Sequence, residues 1–328
     1  MSWKIAFIGL RHGHIGTLYD RLKTDPRFEI TAICEEDAEA RKVAAESWKI
    51  EATHSSFAEM MENVDFDILA IGDYYGIRGE RAIAGLKNGK HILSDKPLCT
   101  DLAELAEIRK LAAEKNLVIG EMLDLRDFPC IRAAKELIDS EAVGEINAIN
   151  FGGQHPLNYG TRPGWYFEEG KHGGTINDIA IHGLDIVEYL TGHRITDLIA
   201  ARCWNAFATE VPGFKDSAQL MFALDNNCGC IADVSYAAPS KIGFSTPLYW
   251  RFTLWGSKGV IEFSPKAETV RFYESGNENV RDIAAEKDIH SDYLDIFVNE
   301  LEGKKEPFGT EHLLKVTEDA LMLQKLAD

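Results

Sequence analysis

Two patterns of apolar spacing divide the chain. From Trp3 to Leu123, β-type runs (Lys4 to Ile8, Phe28 to Cys34, Ile68 to Ile71, His91 to Ser94, Leu117 to Ile119) alternate with helical stretches such as Asp37 to Trp48, Arg78 to Asn88 and Asp101 to Lys115. That alternation predicts βαβ units and a parallel, doubly wound sheet. After Gly144, runs rich in β-branched and aromatic residues succeed one another through turn clusters: Ile146 to Phe151, Leu198 to Ala206, Ser217 to Leu224, Cys230 to Tyr236, Tyr249 to Trp255, Val260 to Phe263 and Val270 to Tyr273. Asp225-Asn226-Asn227 and Gly256 to Gly259 read as hairpin turns. The second half is therefore predicted as a mostly antiparallel sheet of about seven strands carrying one long helix, closed by helices from about Ser291 to Leu301 and Thr310 to Leu326. The fold class is α/β, with a parallel-sheet domain over 1–124 and an α+β domain over 125–328.

The long helix, Thr175 to about Leu190, carries ionisable groups on a segment otherwise built for burial. Ile176, Ile179, Ile186, Val187 and Leu190 form one apolar face, and Ile181 and Leu184 a second. Asp178, His182, Asp185 and Tyr189 share a third stripe, which predicts that a carboxylate and an imidazole one turn apart line a cleft. The competing structural reading is a capping box, in which Thr175 and Asp178 only satisfy the first free N–H groups of the helix.

Composition narrows the partners. In 328 residues, 35 basic against 53 acidic side chains give a net charge of −18, which argues against nucleic acid or anionic membrane and for small ligands. The six cysteines lack metal-type spacing except Cys228-Gly-Cys230 and read as reduced thiols. With no export leader and no long apolar run, a cytoplasmic protein is expected.

Strand Lys4 to Ile8 runs into Gly9-Leu-Arg-His-Gly13-His-Ile-Gly16 and a helical segment, the context in which glycines let a backbone approach a pyrophosphate. Glu35, at the end of the second strand, stands where a carboxylate accepts hydrogen bonds from a ribose diol and repels a 2′-phosphate; NAD is favoured, while Glu36, Arg41 and Lys42 nearby leave NADP open. Gly9, His12, Gly13, His14, Ile15, Gly16, Glu35, Gly72, Asp95, Lys96 and Pro97 are the expected cofactor contacts. No metal is expected, because His12 and His14 have no nearby acid or third ligand. Asp95-Lys96-Pro97 comes directly after strand His91 to Ser94, at the carboxyl edge where ligands of such sheets bind.

These landmarks, with Gly173-Gly-Thr-Ile-Asn-Asp178-Ile-Ala-Ile-His182-Gly-Leu-Asp185, Trp255-Gly-Ser-Lys-Gly259 and Gly303-Lys-Lys-Glu-Pro307, resemble the glucose-fructose oxidoreductase, inositol dehydrogenase and MocA (Gfo/Idh/MocA) family over nearly the full length. The resemblance implies a nicotinamide-binding Rossmann domain, a second domain used for substrate and oligomer contact, and oxidation of a sugar or cyclitol hydroxyl. By position, Lys96 matches the family's motif lysine, and Asp178 and His182 its catalytic pair. Two departures stand out: three residues separate Gly9 from Gly13, and Gly72 to Gly79 replaces the usual Thr-Pro and His.

The reading is an NAD(P)-dependent dehydrogenase or reductase acting on a polyol or keto-sugar. His182 is the base, Lys96 steadies the oxyanion and Asp178 tunes the imidazole, the three meeting at one cleft. His155, Tyr159, Arg162, Trp165 and Tyr166, together with Lys96, Asp178 and His182, are expected to hold the substrate. A sensor of the same fold without turnover and an NADP-linked aldose or dihydrodiol dehydrogenase are the alternatives. A sheet with one uncovered face predicts a homodimer or homotetramer packed sheet to sheet.

Overall fold

The computed structural model describes residues 2–285 and 292–327. The chain divides into two compact units, one of residues 1–122, 163–173 and 297–314, the other of residues 123–162, 174–296 and 315–328.

In the first unit, β1 (Trp3–Ile8), α1 (His14–Leu22), β2 (Phe28–Cys34), α2 (Ala38–Val43), α3 (Phe57–Asn63), β3 (Ile68–Ile71), α4 (Tyr75–Lys87), β4 (His91–Ser94), α5 (Leu102–Lys115) and β5 (Ile119–Glu121) run in order. The strands pair in parallel as β2-β1-β3-β4-β5. Both faces of such a sheet are covered, which is why Ile68-Leu-Ala-Ile71 is apolar without alternation and wholly buried. Side chains set the helix starts: Asp37 accepts from the Ala40 N–H, and Asp101 from those of Ala103 and Glu104. The Thr310 hydroxyl accepts from the Ile119 N–H at 3.0 Å, tying the late segment to β5.

The second unit contains α6 (Pro129–Asp139), β6 (Ile146–Pro156), α7 (Ile181–Thr191), β7 (Ile195–Trp204), β8 (Ser217–Leu224), β9 (Gly229–Ala238), β10 (Trp250–Gly256), β11 (Gly259–Phe263), β12 (Thr269–Glu274) and β13 (Arg281–Ala284). Helices α8 (Tyr293–Leu301) and α9 (Thr310–Ala327) close the chain; Ser291, the expected start of α8, lies outside the described residues. The sheet has eight strands where about seven were expected, in the order β13-β12-β11-β10-β6-β9-β8-β7. The addition is β13, a short and mostly exposed edge that carries no apolar alternation. Among the described residues β6 and β9 are the one parallel pair of this sheet.

Alternation sorts the two faces. Cys230, Ala232 and Val234 of β9 are buried while Ile231 is exposed. Helix α7 lies against β6 so closely that a Cβ on Gly183 would stand 2.2 Å from the Phe151 ring. On the other face Met221 pairs across strands with Ile231, and Trp255, Val260 and Tyr273 form a row. Met221, Ile231, Trp255 and Tyr273 are between 37% and 56% exposed, so this face carries exposed apolar side chains on both sides of a polar row that runs through Asn150, Thr253 and Glu262. Among the described residues, no helix is long and apolar enough to cross a membrane.

Candidate functional site

In the first unit the chain leaves β1 at Gly9, whose φ is +80° and where a Cβ would fall 2.5 Å from the Asp73 backbone. Gly72 faces it, and a Cβ there would meet the Gly9 carbonyl oxygen at 2.7 Å. Side-chain-free backbone is therefore required at Gly9 and Gly72, whereas Gly13 and Gly16 stand only near the Trp48 ring. The longer loop is absorbed by the Arg11 and His12 N–H groups, which donate to Gly72 O at 3.3 and 3.2 Å, before α1 opens at His14. A glycine turn leading from a parallel strand into a nine-residue helix is the donor arrangement that suits a dinucleotide's phosphates, and it fits the cofactor that the sequence implies.

Glu35 sits at the end of β2, as a ribose-reading acid would. Its carboxylate is buried and already engaged, accepting from Leu10 N at 2.6 Å, Arg11 Nε at 3.1 Å and Asp37 N at 2.8 Å. It anchors the glycine loop.

Asp95 organises the carboxyl edge. Its Oδ2 meets His12 Nδ1 and accepts from Arg78 Nη2 at 2.9 Å, while its Oδ1 lies 3.2 Å from His14 Nδ1. The expectation of no acid beside the two histidines is thus corrected, since β4 delivers one from 83 residues away. Burial alone would raise the Asp95 carboxyl, yet the Arg78 guanidinium with His12 and His14 holds it well below the usual range. Burial outweighs Asp95 at His12 and pushes that imidazole down to about 3. A neutral His12 carrying its proton on Nδ1 donates to Asp95 and accepts the Tyr75 hydroxyl at Nε2, 3.2 Å away.

The Lys96–Pro97 peptide is cis, and Arg78 Nη1 donates to Lys96 O at 2.5 Å while its Nε donates to Asp73 O at 2.8 Å. The Lys96 ammonium stands 5.8 Å from the Tyr75 ring centroid. Trp165 and Tyr166, expected to hold substrate, pack here: their rings stack at 4.1 Å, the Tyr166 hydroxyl meets that of Tyr75 at 2.8 Å, and Trp165 Nε1 reaches Arg11 O at 3.4 Å.

In the second unit the expected helix opens as a π turn over Ile176–Ala180 and continues as α7, which ends on Gly192 at φ +71°. The capping-box reading fails. Thr175 Oγ1 donates to Lys215 O, the Ile176 N–H is met by Gln324 Oε1 at 3.1 Å, and the Asp178 carboxylate accepts from the Tyr236 hydroxyl. Asp178 and His182 are 2% and 4% exposed, so both groups are taken out of water. The His182 ring meets Trp250 edge-on at 6.1 Å.

The polar stripe splits at this point. Asp185 takes a bidentate pair from Arg126, Nε to Oδ2 at 2.8 Å and Nη2 to Oδ1, and the Tyr189 ring lies 5.8 Å from the same guanidinium. That half is structural. On the other half, Arg162 lies 5.2 Å from the Tyr236 ring and is fixed by Leu157 O and Pro156 O at 2.8 and 2.7 Å. The His155 ring joins Tyr249 at 4.9 Å and Tyr236 at 6.5 Å. Asp178, His182, His155 and Arg162 thus share one aromatic nest, while Tyr159 is 48% exposed on its loop. Sequence reasoning does not single out Tyr75, Arg78, Tyr236 or Trp250; Tyr236 and Trp250 occupy ordinary strand positions, and only contacts distinguish them.

Comparison with known proteins bears on both units. Residues 3–122 match the family model described as the oxidoreductase family with NAD-binding Rossmann fold, and residues 131–262 match that of the GFO/IDH/MocA C-terminal domain. The chain is 28% identical to levoglucosan dehydrogenase of Pseudarthrobacter phenanthrenivorans over 165 residues, 49% of this chain and 42% of that one. It is 27% identical to 1-carboxy-3-chloro-3,4-dihydroxycyclohexa-1,5-diene dehydrogenase of Comamonas testosteroni over 229 residues, 69% of this chain and 56% of that one. Both matches span less than two thirds of the relative's own length. Among solved structures, levoglucosan dehydrogenase in complex with NADH and L-sorbose superposes with a TM-score of 0.80 at 19% identity, covering 100% of this chain and 98% of that one. An Agrobacterium radiobacter oxidoreductase in complex with NAD+, L-tartaric acid and magnesium gives 0.79 at 18% identity, covering 98% and 94%. These likenesses establish the fold.

Proposed function

Because the chain belongs to the Gfo/Idh/MocA oxidoreductase family, with an NAD-binding Rossmann domain, we propose that it is an NAD-dependent dehydrogenase acting on a hydroxyl-bearing carbon of a sugar, cyclitol or related polyol. The observation that carries the reading is the burial of the Asp178 carboxylate and the His182 imidazole together on a π turn and its adjoining helix, a device common at working sites. NAD, when bound, supplies the hydride acceptor at its nicotinamide C4.

The chain's own groups handle the proton and the charge. His182 takes the hydroxyl proton at an imidazole nitrogen, Lys96 steadies the oxyanion that develops, and Asp178, held by Tyr236, orients and tunes the imidazole. His155 and Arg162 offer polar contacts to substrate hydroxyls, and Trp165 and Tyr166 brace the glycine loop. Screening a polyol and keto-sugar panel with NAD by absorbance of the reduced nicotinamide tests this reading. Tight NAD binding with no turnover across a broad panel would replace it with the sensor.

Glu35 sets cofactor choice in this proposal. Glu35→Ala removes both the ribose acceptor and the anchor of Leu10 N, so NAD affinity should fall roughly 10- to 150-fold, equivalent to ~1.5 to 3 kcal/mol. Calorimetric titration of the variant checks the loss; an unmodified protein that prefers NADP would show Glu35 is misassigned.

The exposed apolar side chains on the outer face of the eight-stranded sheet fit a second copy of this chain, packed sheet to sheet as a homodimer or homotetramer. Light scattering at micromolar concentration is expected to report an oligomer, and a monomer would refute it. The reading also includes a cytoplasmic location, with all six cysteines as free thiols.

A further inference from the structure

We propose that His12, His14 and Asp95 form a site for a divalent transition cation of the zinc class, with an open coordination position. The three ligand atoms, one from each residue, lie within 4.8 Å of one another. Ligands held at ~2.1 Å around a tetrahedral cation stand roughly 3.4 Å apart, so His14 Nδ1 and Asp95 Oδ1, at 3.2 Å, already have the required separation. Two imidazoles converge by the same ring nitrogen on one carboxylate, each on a different oxygen. Two nitrogens with one carboxylate oxygen suit zinc, cobalt or nickel better than magnesium or calcium, which prefer all-oxygen shells.

The outer partners of such a site are also present. Tyr75 Oη lies 3.2 Å from His12 Nε2, and Arg78 Nη2 donates to Asp95 Oδ2 at 2.9 Å, so two of the three ligands are oriented from behind. On binding, each imidazole proton moves from Nδ1 to Nε2; His12 then donates to Tyr75, whose own proton turns to Tyr166 at 2.8 Å. No net proton leaves, and the half-exposed His14 ring can give its Nε2 proton to solvent. The Asp95 side chain is fully buried while that of His14 is 43% exposed, which gives the cation a path from solvent. Arg78 shares Asp95 Oδ2 and so limits affinity, while Nδ1 of both histidines and Oδ1 of Asp95 remain to the cation. Three protein ligands leave the outward position to water or to a phosphate or hydroxyl oxygen.

All three ligands belong to the nucleotide unit, and the test needs no turnover, so its outcome is separate from that of the substrate panel. Tag-free full-length protein titrated with Co2+ should develop ligand-field absorption saturating at one equivalent, and Zn2+ should displace it. His14→Ala, at a half-exposed side chain, should keep the circular dichroism and melting of the parent while weakening Co2+ at least tenfold; His12→Gln should abolish the bands. Absence of saturable Co2+ and Zn2+ binding, or affinity unchanged in His14→Ala, would show a hydrogen-bonded triad only and overturn the proposal.

Discussion

Replacing His182 with Asn or Lys96 with Met is expected to lower turnover ~100- to 10,000-fold while NAD affinity stays nearly constant, the loss usual for a positioned proton carrier or charge stabiliser. Asn keeps a polar side chain beside Trp250 without a titrating nitrogen, and Met keeps the length of the lysine stem over the Tyr75 ring without its charge. Asp178→Asn should do less damage, because an amide oxygen still accepts the Tyr236 hydroxyl while the negative charge that favours imidazolium is gone. Steady-state kinetics with the true substrate, alongside NAD titration and melting of each variant, checks this. Full kcat in the His182 or Lys96 variant, or loss of the fold in every one of them, would make these groups structural.

Arg126→Met is expected to cost about 3–5 kcal/mol of stability, because it strips the buried Asp185 carboxylate of its bidentate guanidinium and leaves a desolvated charge. For a unit of this size that lowers the melting temperature by on the order of 10 °C. Adding Asp185→Leu should restore much of the loss, since removing both charges leaves no desolvated ion. Calorimetry of the parent and of the single and double variants decides it: a single variant that melts with the parent would mean that the pair contributes little. Asp178, His182 and Asp185 lie on one continuous segment, yet turnover is expected to report on the first two and melting on the third.

Much of the architecture is legible in sequence because apolar spacing reports burial directly. Strand Ser217–Leu224 alternates in and out and is read to the residue. The four-residue apolar run of β3 is likewise read in full, because both its faces are covered. Edge strand β13 lacks that signal, since burial on neither face selects its residues. The π turn is invisible for another reason: a shift in backbone hydrogen bonding leaves composition unchanged. Contacts across the chain are the least legible. Asp95 reaches His12 over 83 residues and Tyr236 reaches Asp178 over 58, and nothing in the sequence marks either pairing until the folded backbone brings the partners together. Composition marks Trp165 and Tyr166 as special, yet it does not reveal that they fold back on the glycine loop.

The wide turn at Ile176–Ala180 divides the polar stripe into two parts with separate geometric references. A π turn carries one residue more than the α repeat, so it works as a phase shifter between the loop before it and the helix after it. Downstream, Asp185 and Arg126 hold the register of α7 as a fixed reference. Upstream, the bearing of Asp178 towards Tyr236 depends on that extra residue. A one-residue deletion in the turn is therefore expected to re-aim the carboxylate while the helix behind it stays anchored.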